Sequence, residues 1–307
     1  MNIEVLLTEA EIADEFAESI AARDLPEKFF YWTPQSVRAW EALAARSAED
    51  LQATWESLST RAADLTKAFG QRVPVISFGA GEGLKDRTLL RALVAAGREV
   101  RYFPVDSSQQ LLETACAGAE DDDVEALGLK ADISSPMHMV LAADVSEAPR
   151  LFLLVGNTLA GFDPMDQIRH VADCVKKGDI LIVDINLHPG VPVTPTEEQK
   201  RFVFAPLAAA GIVADDGELE FMEHPDDRLD GMFMLTRRFI ASRDLRLLVA
   251  GTEMSMARGE RILLNFRYLL TTEAFRWLLT EHAGLRIVGE LPTADGKMLT
   301  AVCIKAA

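Results

Sequence analysis

The chain has 307 residues, of which 49% are hydrophobic and 26% are charged, and its formal net charge is −17. A chain of this composition folds into one elaborated globular domain or two. The acidity argues against a nucleic-acid partner, which requires a basic face. No apolar run approaches the ~20 residues of a membrane span, and the first residues lack the basic flank of a signal peptide. We therefore expect a cytoplasmic protein without a membrane partner.

The cysteines and histidines do not predict a metal site. The three cysteines are far apart and form no Cys-x-x-Cys pair, and the five histidines show no His-x-x-x-His spacing. Zinc sites in proteins usually take ligands at such short spacings, so we predict none. The cysteines are expected to be small core residues.

The chain begins with a helical region. Between about residues 8 and 69, apolar residues recur at three- and four-residue spacing, as at Val37, Trp40 and Leu43. This spacing is typical of amphipathic helices. Strands and helices then alternate as far as about residue 188, which predicts βαβ units and a parallel sheet with right-handed crossovers.

The most informative stretch lies where the first strand of that sheet ends. An apolar run is followed directly by a Gly-x-Gly-x-Gly turn, formed by Gly79, Gly81 and Gly83. Glycines permit a tight turn and let a ligand approach the backbone closely. The next predicted strand ends in Asp106, which is placed to accept hydrogen bonds from a ribose diol. Together these features predict a nucleoside-type cofactor.

The glycine spacing distinguishes between cofactors. In the dinucleotide fingerprint Gly-x-Gly-x-x-Gly, the third glycine would stand at the position that Leu84 occupies here. Gly-x-Gly-x-Gly is instead the pattern of class I S-adenosylmethionine-dependent methyltransferases, whose ligand has no pyrophosphate to bind at a helix N-terminus. We therefore expect S-adenosyl-L-methionine as the cofactor. An NAD-dependent oxidoreductase is the less favoured alternative.

Ligands of parallel α/β sheets bind at the carboxyl ends of the strands. The predicted strand ends of this sequence carry Gly79, Asp106, Asp132, Gly156 and Asp184. Beyond residue 188 the periodicity is lost, and we interpret residues 189–254 as an insertion that contains a strand near 231–236. Further strands are predicted near residues 261–270, 285–290 and 298–305.

Five separate stretches of the sequence are informative together: Leu25-Pro-Glu27 with the aromatic run after it, Gly79 through Arg87 with Leu89-Leu90, Val105-Asp106-Ser107, Gly156-Asn-Thr-Leu-Ala-Gly-Phe162, and Gly259-Glu-Arg-Ile262 with Arg267-Tyr268. Over about residues 25 to 303, these stretches resemble the histidine-specific Nα-methyltransferases of ergothioneine biosynthesis and their relatives. Five matches in the same order and at comparable gaps are hard to obtain by chance.

The resemblance implies an α/β fold. It consists of a class I methyltransferase (Rossmann-like) parallel sheet with a reversed C-terminal strand, and of a substrate subdomain made of the N-terminal helices and the insertion. The corresponding parts are residues 1–69, the N-terminal helical part of the substrate domain; 70–188, the cofactor-binding core; 189–254, the inserted substrate or cap region; and 255–307, the C-terminal strands that complete the core sheet.

The resemblance also implies a cofactor site, which comprises Gly79, Gly81, Gly83, Lys85, Asp106, Asp132, Ile133 and Gly156. In this family, Gly79 and Lys85 would line the methionine side of the cofactor. Asp106 would take the ribose hydroxyls, and Asp132 with Ile133 would hold the adenine. From position alone, Lys85 is equally well a solvated first-turn lysine, and Asp132 can cap the next segment.

The departures from the family concern chiefly the substrate. The class usually has an acid where this chain has Ser77. Family members that bind histidine have asparagine at the position of Gly161 and glutamate at about the position of Met232. Asn157 can replace the asparagine from one helical turn away. A polar substrate group facing Met232 would be unpaired at a cost of about 1–3 kcal/mol, so we do not expect L-histidine to be the substrate.

Most side chains near the expected acceptor pocket are aromatic rings or flexible methionines. The predicted substrate-binding residues are Tyr31, Trp32, Asn157, Gly161, Met232 and Met234. An aromatic face would shape an apolar cavity and attract a cationic centre. The alternative for the aromatic run is packing between the N-terminal helices and the sheet.

The expected function is methyl transfer to a small amine or amino-acid-like metabolite. Nitrogen is the favoured acceptor, because a hydroxyl or carbon acceptor needs a positioned base. The candidate bases are His138, His188, Asp184 and Glu253, and none has a supporting motif. A catalytically silent cofactor-binding or regulatory protein is the alternative from another class. The sequence leaves the acceptor and the oligomeric state open.

Overall fold

The computed structural model describes residues 1–306, apart from the side chains of residues 46–51. The strands are β1 (Asn2–Val5), β2 (Arg72–Phe78), β3 (Glu99–Asp106), β4 (Glu125–Lys130), β5 (Leu151–Leu154), β6 (Ile180–Asn186), β7 (Gly217–Pro225), β8 (Met232–Ala241), β9 (Leu245–Val249), β10 (Thr252–Met256), β11 (Arg261–Leu270), β12 (Leu285–Pro292) and β13 (Met298–Lys305). The α-helices are α1 (Glu9–Ala22), α2 (Pro34–Ser59), α3 (Ala62–Leu65), α4 (Leu84–Ala95), α5 (Gln109–Glu120), α6 (Pro136–Ala143), α7 (Pro164–Cys174), α8 (Glu197–Ala209) and α9 (Thr272–Trp277). Short 3-10 turns cover Glu27–Phe30, Leu159–Gly161 and Ala214–Asp216.

In the part of the chain that the structure describes, no helix combines the length and apolarity needed to cross a membrane.

An eight-stranded sheet forms the centre of the molecule, in the order β1-β4-β3-β2-β5-β6-β13-β12. The strands from β1 to β6 run parallel, while β13 pairs antiparallel with both β6 and β12. The predicted parallel sheet with a reversed C-terminal strand is therefore confirmed. Hydrophobic clusters cover both faces of this sheet. Strands buried on both faces have continuous apolar sequences, as β5 does.

A three-stranded antiparallel sheet, in the order β11-β8-β7, forms the centre of a second part of the molecule. A separate hydrophobic cluster joins this sheet to α1, α8 and the 3-10 turn Glu27–Phe30. The N-terminal segment and the insertion thus share one core, in agreement with a substrate subdomain built from both.

Two of the predicted boundaries need correction. The strand at 261–270 was expected to complete the core sheet, but as β11 it pairs with β8 in the second sheet. The region predicted as helical begins with β1, which lies beside β4 at the edge of the core sheet. The local pattern of a strand reports which of its faces is apolar, whereas its partner is chosen by non-local contacts.

A buried ion pair fixes the beginnings of two strands that carry the site described below. The fully buried Arg150 guanidinium donates to the Asp179 carboxylate at 2.7 Å. It also donates to the carbonyls of Ala143 and Cys174. Because Arg150 directly precedes β5 and Asp179 directly precedes β6, the pair holds these neighbouring strands together.

Arg150→Met should lower the free energy of unfolding by about 3–5 kcal/mol, because it leaves the Asp179 carboxylate buried without its counter-charge. Urea unfolding measures this loss. Arg72→Met is the matched control, since Arg72 and Glu99 pair with side chains that are 82% and 60% exposed, and exposed pairs contribute little. Equal effects of the two substitutions would contradict the role given to the buried pair.

Candidate active site

A cavity lies at the carboxyl ends of the parallel strands. Its volume is ≈ 670 Å³, including the space at its mouth that is open to solvent. The wall consists of Glu27, Lys28, Tyr31, Trp40, Gly79, Ala80, Gly81, Lys85, Asp106, Ser107, Leu111, Ala131, Asp132, Ile133, Gly156, Thr158, Phe162 and Arg267. Both the core sheet and the second sheet therefore contribute to one cavity.

The glycine turn after β2 exposes the backbone to this cavity. Gly79 has a φ of +68°, and a Cβ at this position would lie 2.6 Å from Thr158 Cγ2. Gly81 lies on the same wall, and its N–H donates to Asp106. Gly83 does not line the cavity; it precedes α4 and packs closely against α5. Two of the three predicted glycines thus face the cavity, and the third permits helix packing.

Asp106 lies on the cavity wall at the end of β3. Its carboxylate accepts the N–H groups of Gly81 and Ser108, each at 2.9 Å. Burial raises the pKa of Asp106, and these backbone donors oppose the rise. A carboxylate has about four acceptor positions, so Asp106 keeps capacity for hydroxyl donors of a ligand.

Lys28 and Asp132 form an ion pair on the wall beyond β4, with Nζ 2.8 Å from Oδ2. Ser134 donates to the other carboxylate oxygen from both its N–H and its hydroxyl. Burial alone would raise the pKa of Asp132, but Lys28 and Ser134 outweigh burial, so the pKa lies below its usual value. Ile133 adds an apolar surface, and its carbonyl accepts from Gln167 Nε2 at 3.0 Å.

Asp184 fixes the loop that follows β5. Its buried carboxylate accepts the N–H groups of Gly156 at 2.9 Å and of Asn157 at 2.7 Å. Gly156 has a φ of +84°, and a Cβ there would overlap the Lys85 ammonium. Gly156 therefore leaves the space through which Lys85 reaches the cavity wall. Burial raises the pKa of Asp184, and the positive charge of Lys85 opposes the rise.

A polar cluster closes the opposite side of the cavity. One oxygen of the Glu27 carboxylate accepts from the Tyr31 hydroxyl at 2.8 Å and from Arg267 Nη2 at 2.7 Å. The other oxygen accepts from the Asn265 amide. Arg267 also donates to the Asn157 carbonyl at 3.2 Å. The cluster thus ties the first 3-10 turn, β11 and the loop after β5 to one another.

A β-bulge directs Asn265 toward this cluster. The pairing of β8 with β11 shifts register between Leu263 and Phe266, and Asn265 lies in the left-handed region at φ +60°. Bulges re-aim side chains and are frequent beside active sites. Asparagine is among the few residues that adopt this conformation at low cost.

Gly161 leaves space for Glu27. A Cβ on Gly161 would lie 2.9 Å from both Cδ and Oε1 of the Glu27 side chain. The position at which histidine-binding relatives have asparagine therefore faces a carboxylate here. Glu27 therefore occupies the space beside Gly161 that an asparagine side chain would need.

The remaining wall on this side is aromatic. Tyr31, a predicted substrate residue, contacts Trp40 edge to face with ring centroids 6.1 Å apart. Phe162 lies on the same wall. An acceptor here would meet aromatic faces beside the charged groups of Glu27 and Arg267.

Trp32 and Asn157 do not line the cavity. The Trp32 ring packs 5.3 Å from Phe16, centroid to centroid, and its Nε1 donates to Glu9 at 2.7 Å. Trp32 therefore packs against other aromatic residues, which was the alternative to a role in substrate binding. The Asn157 side-chain oxygen accepts the Asn186 N–H at 2.8 Å, so this side chain holds the loop and not a ligand.

Met232 and Met234 lie on the expected strand but face away from the cavity. In the β8–β11 ladder, Met234 is opposite Tyr268, whereas Leu235 is opposite Arg267. Side chains alternate between the two faces of a strand, so both methionines lie on the face opposite to Arg267. Met232 is fully buried there in the main hydrophobic core, and Met234 packs against that core.

The four candidate bases are also absent from the cavity wall. His138 accepts the Asp132 N–H through Nδ1 at 3.1 Å, and the His188 ring stacks on another aromatic ring. The Asp184 carboxylate holds two backbone N–H groups, and Glu253 is exposed on β10. Among the residues that the structure describes, no cluster of three or more histidine, cysteine, aspartate or glutamate side chains can hold a metal ion.

Part of the wall, including the roles of Glu27 and Arg267, was not predicted from the sequence. Both residues lie inside stretches that carry the family resemblance, but 240 positions apart (267 minus 27). A pair at this separation leaves no periodic signal. Trp40 was recognised as an apolar helix position, which gave no indication that it borders a cavity. Thr158 and Phe162 lie in the resembling stretch Gly156–Phe162 but, like Lys28, were given no role of their own.

The sheet order with its reversed β13, the glycine turn after β2 and the acid after β3 define a class I methyltransferase. The model of the family described as histidine-specific, S-adenosylmethionine-dependent methyltransferases matches residues 9–191. The chain belongs to this family, which confirms the resemblance seen in the sequence. It is an S-adenosylmethionine-dependent methyltransferase.

Solved methyltransferase structures are similar to this chain at low sequence identity. An S-adenosylmethionine-dependent methyltransferase from Clostridium acetobutylicum is 13% identical, with a TM-score of 0.46 over 87% of this chain and 99% of the other. CalS10, an amino pentose methyltransferase from Micromonospora echinaspora, is 9% identical, with a TM-score of 0.43 over 86% and 95% of the two chains. A search of curated proteins finds no match to this sequence. The assignment therefore rests on the family match and on the sheet order.

Gly156→Ala should weaken binding of S-adenosylhomocysteine by about tenfold or more if Lys85 contacts the cofactor as the resemblance implies, because the new methyl group displaces the Lys85 ammonium and removes a charge-assisted hydrogen bond. Calorimetry gives the affinity, and thermal unfolding gives the stability.

The control for this variant is Gly97→Ala. Gly97 has a similar φ of +78°, but a Cβ there would meet no atom within 4 Å. Both variants carry the strain of an alanine at positive φ, about 1–2 kcal/mol. Equal affinities in the two variants would remove Lys85 from the cofactor site.

Proposed function

We propose that this methyltransferase methylates nitrogen in a small amine or amino-acid-like metabolite, and that L-histidine is not its substrate. The observation that carries the proposal is the composition of a single cavity. The residues of the cofactor motifs line one side of it, with Trp40 beside Gly81, and Glu27, Tyr31 and Arg267 line the other. Donor and acceptor can therefore meet in one enclosed space, as alignment of two reactants requires.

The first side of the cavity suits S-adenosyl-L-methionine. We assign Asp106 to the ribose hydroxyls, Asp132 with Ile133 to the adenine, and Lys85 to the methionine end. Any side chain at position 79 would collide with Thr158 and fill this part of the cavity, so glycine keeps the space free. The cofactor supplies a methyl carbon already activated by positive sulfur. The residues of the chain then have to orient the acceptor and exclude water.

Nitrogen is the proposed acceptor because the wall offers poor general bases. Among the wall residues of the described chain there is no histidine. Burial, reinforced by Glu27, raises the pKa of Tyr31, so its hydroxyl stays protonated and donates to Glu27. The Glu27 carboxylate itself already accepts from three donors. An amine acceptor needs no base at the moment of transfer if it enters uncharged.

The exclusion of L-histidine rests on the coupled positions Gly161 and Glu27. Histidine-binding relatives present an asparagine where this chain has Gly161, and the space beside Gly161 is occupied by Glu27. Glu27 in turn is held by Tyr31, Arg267 and Asn265. Moving it would break a buried network whose members satisfy one another, which is costly at low dielectric.

Asp106→Asn should weaken binding of S-adenosylhomocysteine by roughly 10- to 100-fold, as expected for loss of charge-assisted hydrogen bonds of about 1.5–3 kcal/mol. Asparagine preserves the size of the side chain and keeps one acceptor oxygen for the N–H groups of Gly81 and Ser108, whereas alanine would leave both without an acceptor. Calorimetry with adenosine and 2′,3′-dideoxyadenosine locates the contact. The wild type should prefer adenosine, and the variant should lose this preference. A preference retained by the variant would assign the ribose to another residue.

L-Histidine should be methylated at least about 100-fold more slowly than the best acceptor in a panel of apolar amino acids and their decarboxylated amines. An unpaired polar group in the buried pocket costs about 1–3 kcal/mol, and the histidine imidazole lacks the glutamate that the resemblance gives to histidine-binding relatives at about the position of Met232. Mass spectrometry of the methylated products measures the rates. Efficient formation of trimethylated histidine would refute this part of the proposal.

A further inference from the structure

Two arginines lie side by side on the face of the second sheet that borders the cavity. Arg267 on β11 is paired with Leu235 on β8, and Arg237 follows two positions later on the same strand. Residues two apart on a strand share a face, and directly opposed residues do as well. Arg237 and Arg267 are therefore diagonal neighbours.

The two guanidinium groups differ in how fully they are bonded. Arg267 is on the cavity wall and donates to Glu27, Tyr31 and the Asn157 carbonyl. Arg237 lies behind the wall and is 4% exposed. It donates to the Phe266 carbonyl at 3.1 Å, and its Nε has no partner.

The charges of this cluster do not balance. Glu27 is the carboxylate that bonds to Arg267, and it stands against two guanidinium groups. Burial, together with the positive charge of Arg267, lowers the pKa of Arg237 to about 10, so both groups stay charged at neutral pH. A buried excess charge is expensive unless an opposite charge joins it. The acceptor side of the cavity therefore favours an anionic ligand group.

We infer that Arg267, with Arg237 behind it, forms an anion subsite that binds a carboxylate of the methyl acceptor. This inference rests on the proposed function and narrows the acceptor from any small amine to one of amino-acid type. Guanidinium groups match carboxylates in shape and can bond them through two parallel N–H groups. Arg267 keeps N–H donors beyond the three bonds described, since a guanidinium has five. Arg237 acts through its charge and does not touch the ligand.

A carboxylate at this subsite has two possible sources, the acceptor and the methionine end of the cofactor. The complex with S-adenosylhomocysteine separates them, because its cofactor carboxylate is already in place. Any further carboxylate that binds to this complex through Arg267 belongs to the acceptor side.

The experiment uses the wild-type S-adenosylhomocysteine complex and three carboxylates: acetate, phenylacetate and indole-3-acetate. The matched probes are acetamide, phenylacetamide and indole-3-acetamide, which have the same shape without the charge. At least one carboxylate should bind tenfold or more tightly than its amide, as measured by calorimetry. If no carboxylate binds more tightly than its amide, the subsite does not exist, and this comparison needs no variant.

Variants then locate the contact. Arg267→Gln should abolish the preference for the carboxylate, and Arg237→Gln should reduce it severalfold without altering affinity for the amide. Arg238→Gln is the control, because Arg238 lies on the other face of β8 and pairs with Glu220 near the surface. Should Arg267→Gln fail to fold, Arg267→Lys keeps the charge but loses the fork, and an intermediate preference is then expected. A preference unchanged in Arg267→Lys and in Arg237→Gln would overturn the inference.

Cofactor affinity distinguishes this inference from the function on which it rests. If S-adenosylhomocysteine binding falls in Arg267→Gln by the factor expected for the probes, the arginine serves the cofactor and the acceptor subsite is refuted. If the wild type binds S-adenosylhomocysteine but shows no preference for carboxylates, the subsite is refuted while the cofactor assignment stands. If the wild type binds no S-adenosylhomocysteine, the proposed function itself fails.

Discussion

The carboxylate of Glu27 is the point on which the arrangement of this site depends. It joins the 3-10 turn Glu27–Phe30 to β11 through Arg267 and Asn265, and it lies against Gly161 in the loop after β5. Each of these segments belongs to a different part of the chain. At 7% exposure the carboxylate is withdrawn from water, so every donor must be held in place by the fold. The bulge at Asn265, the glycine at position 161 and the close packing of Tyr31 are local features that meet this one requirement.

The parallel sheet imposes the second constraint, because it brings the ends of β2 to β6 to one edge. Three acids follow these strands, yet their partners give them different roles. The two backbone donors on the Asp184 carboxylate make it a support for the loop at Gly156. Asp132 is neutralised by Lys28, so it presents a paired charge to the cavity. Asp106 accepts two backbone N–H groups and forms no ion pair with the residues that the structure describes, so its carboxylate keeps acceptor positions for the ribose hydroxyls that we assign to it.

The features that depend on local sequence patterns could be predicted from the sequence. The glycine turn, the acids at the strand ends and the reversed last strand follow from motifs, periodicity and a family resemblance spread along the chain. The acceptor side was harder, since it depends on pairing across the whole chain. Met232 and Met234 were placed on the right strand, but the choice of face required the register with β11. Glu27 and Arg267 are 240 positions apart, and nothing in either local sequence indicates that they bond to each other. In the sequence, Gly161 indicated only the loss of a polar substrate anchor, and its close approach to Glu27 shows what occupies the space.

The replacement of polar anchors in this chain has therefore not produced an apolar pocket. A methionine wall would have implied an acceptor selected by shape alone. The cavity instead carries aromatic faces from Tyr31 and Trp40 beside a buried charged network. Within that network, the position of Glu27 depends on the absence of a side chain at Gly161, and the position of Arg267 depends on Glu27. Specificity in such a site is a property of the coupled set, because changing one member leaves a buried charge without its partner. Glu27 and Arg267 lie in stretches that resemble the histidine methyltransferases, whereas Gly161 departs from them, so the acceptor side combines shared and altered members of one bonded network.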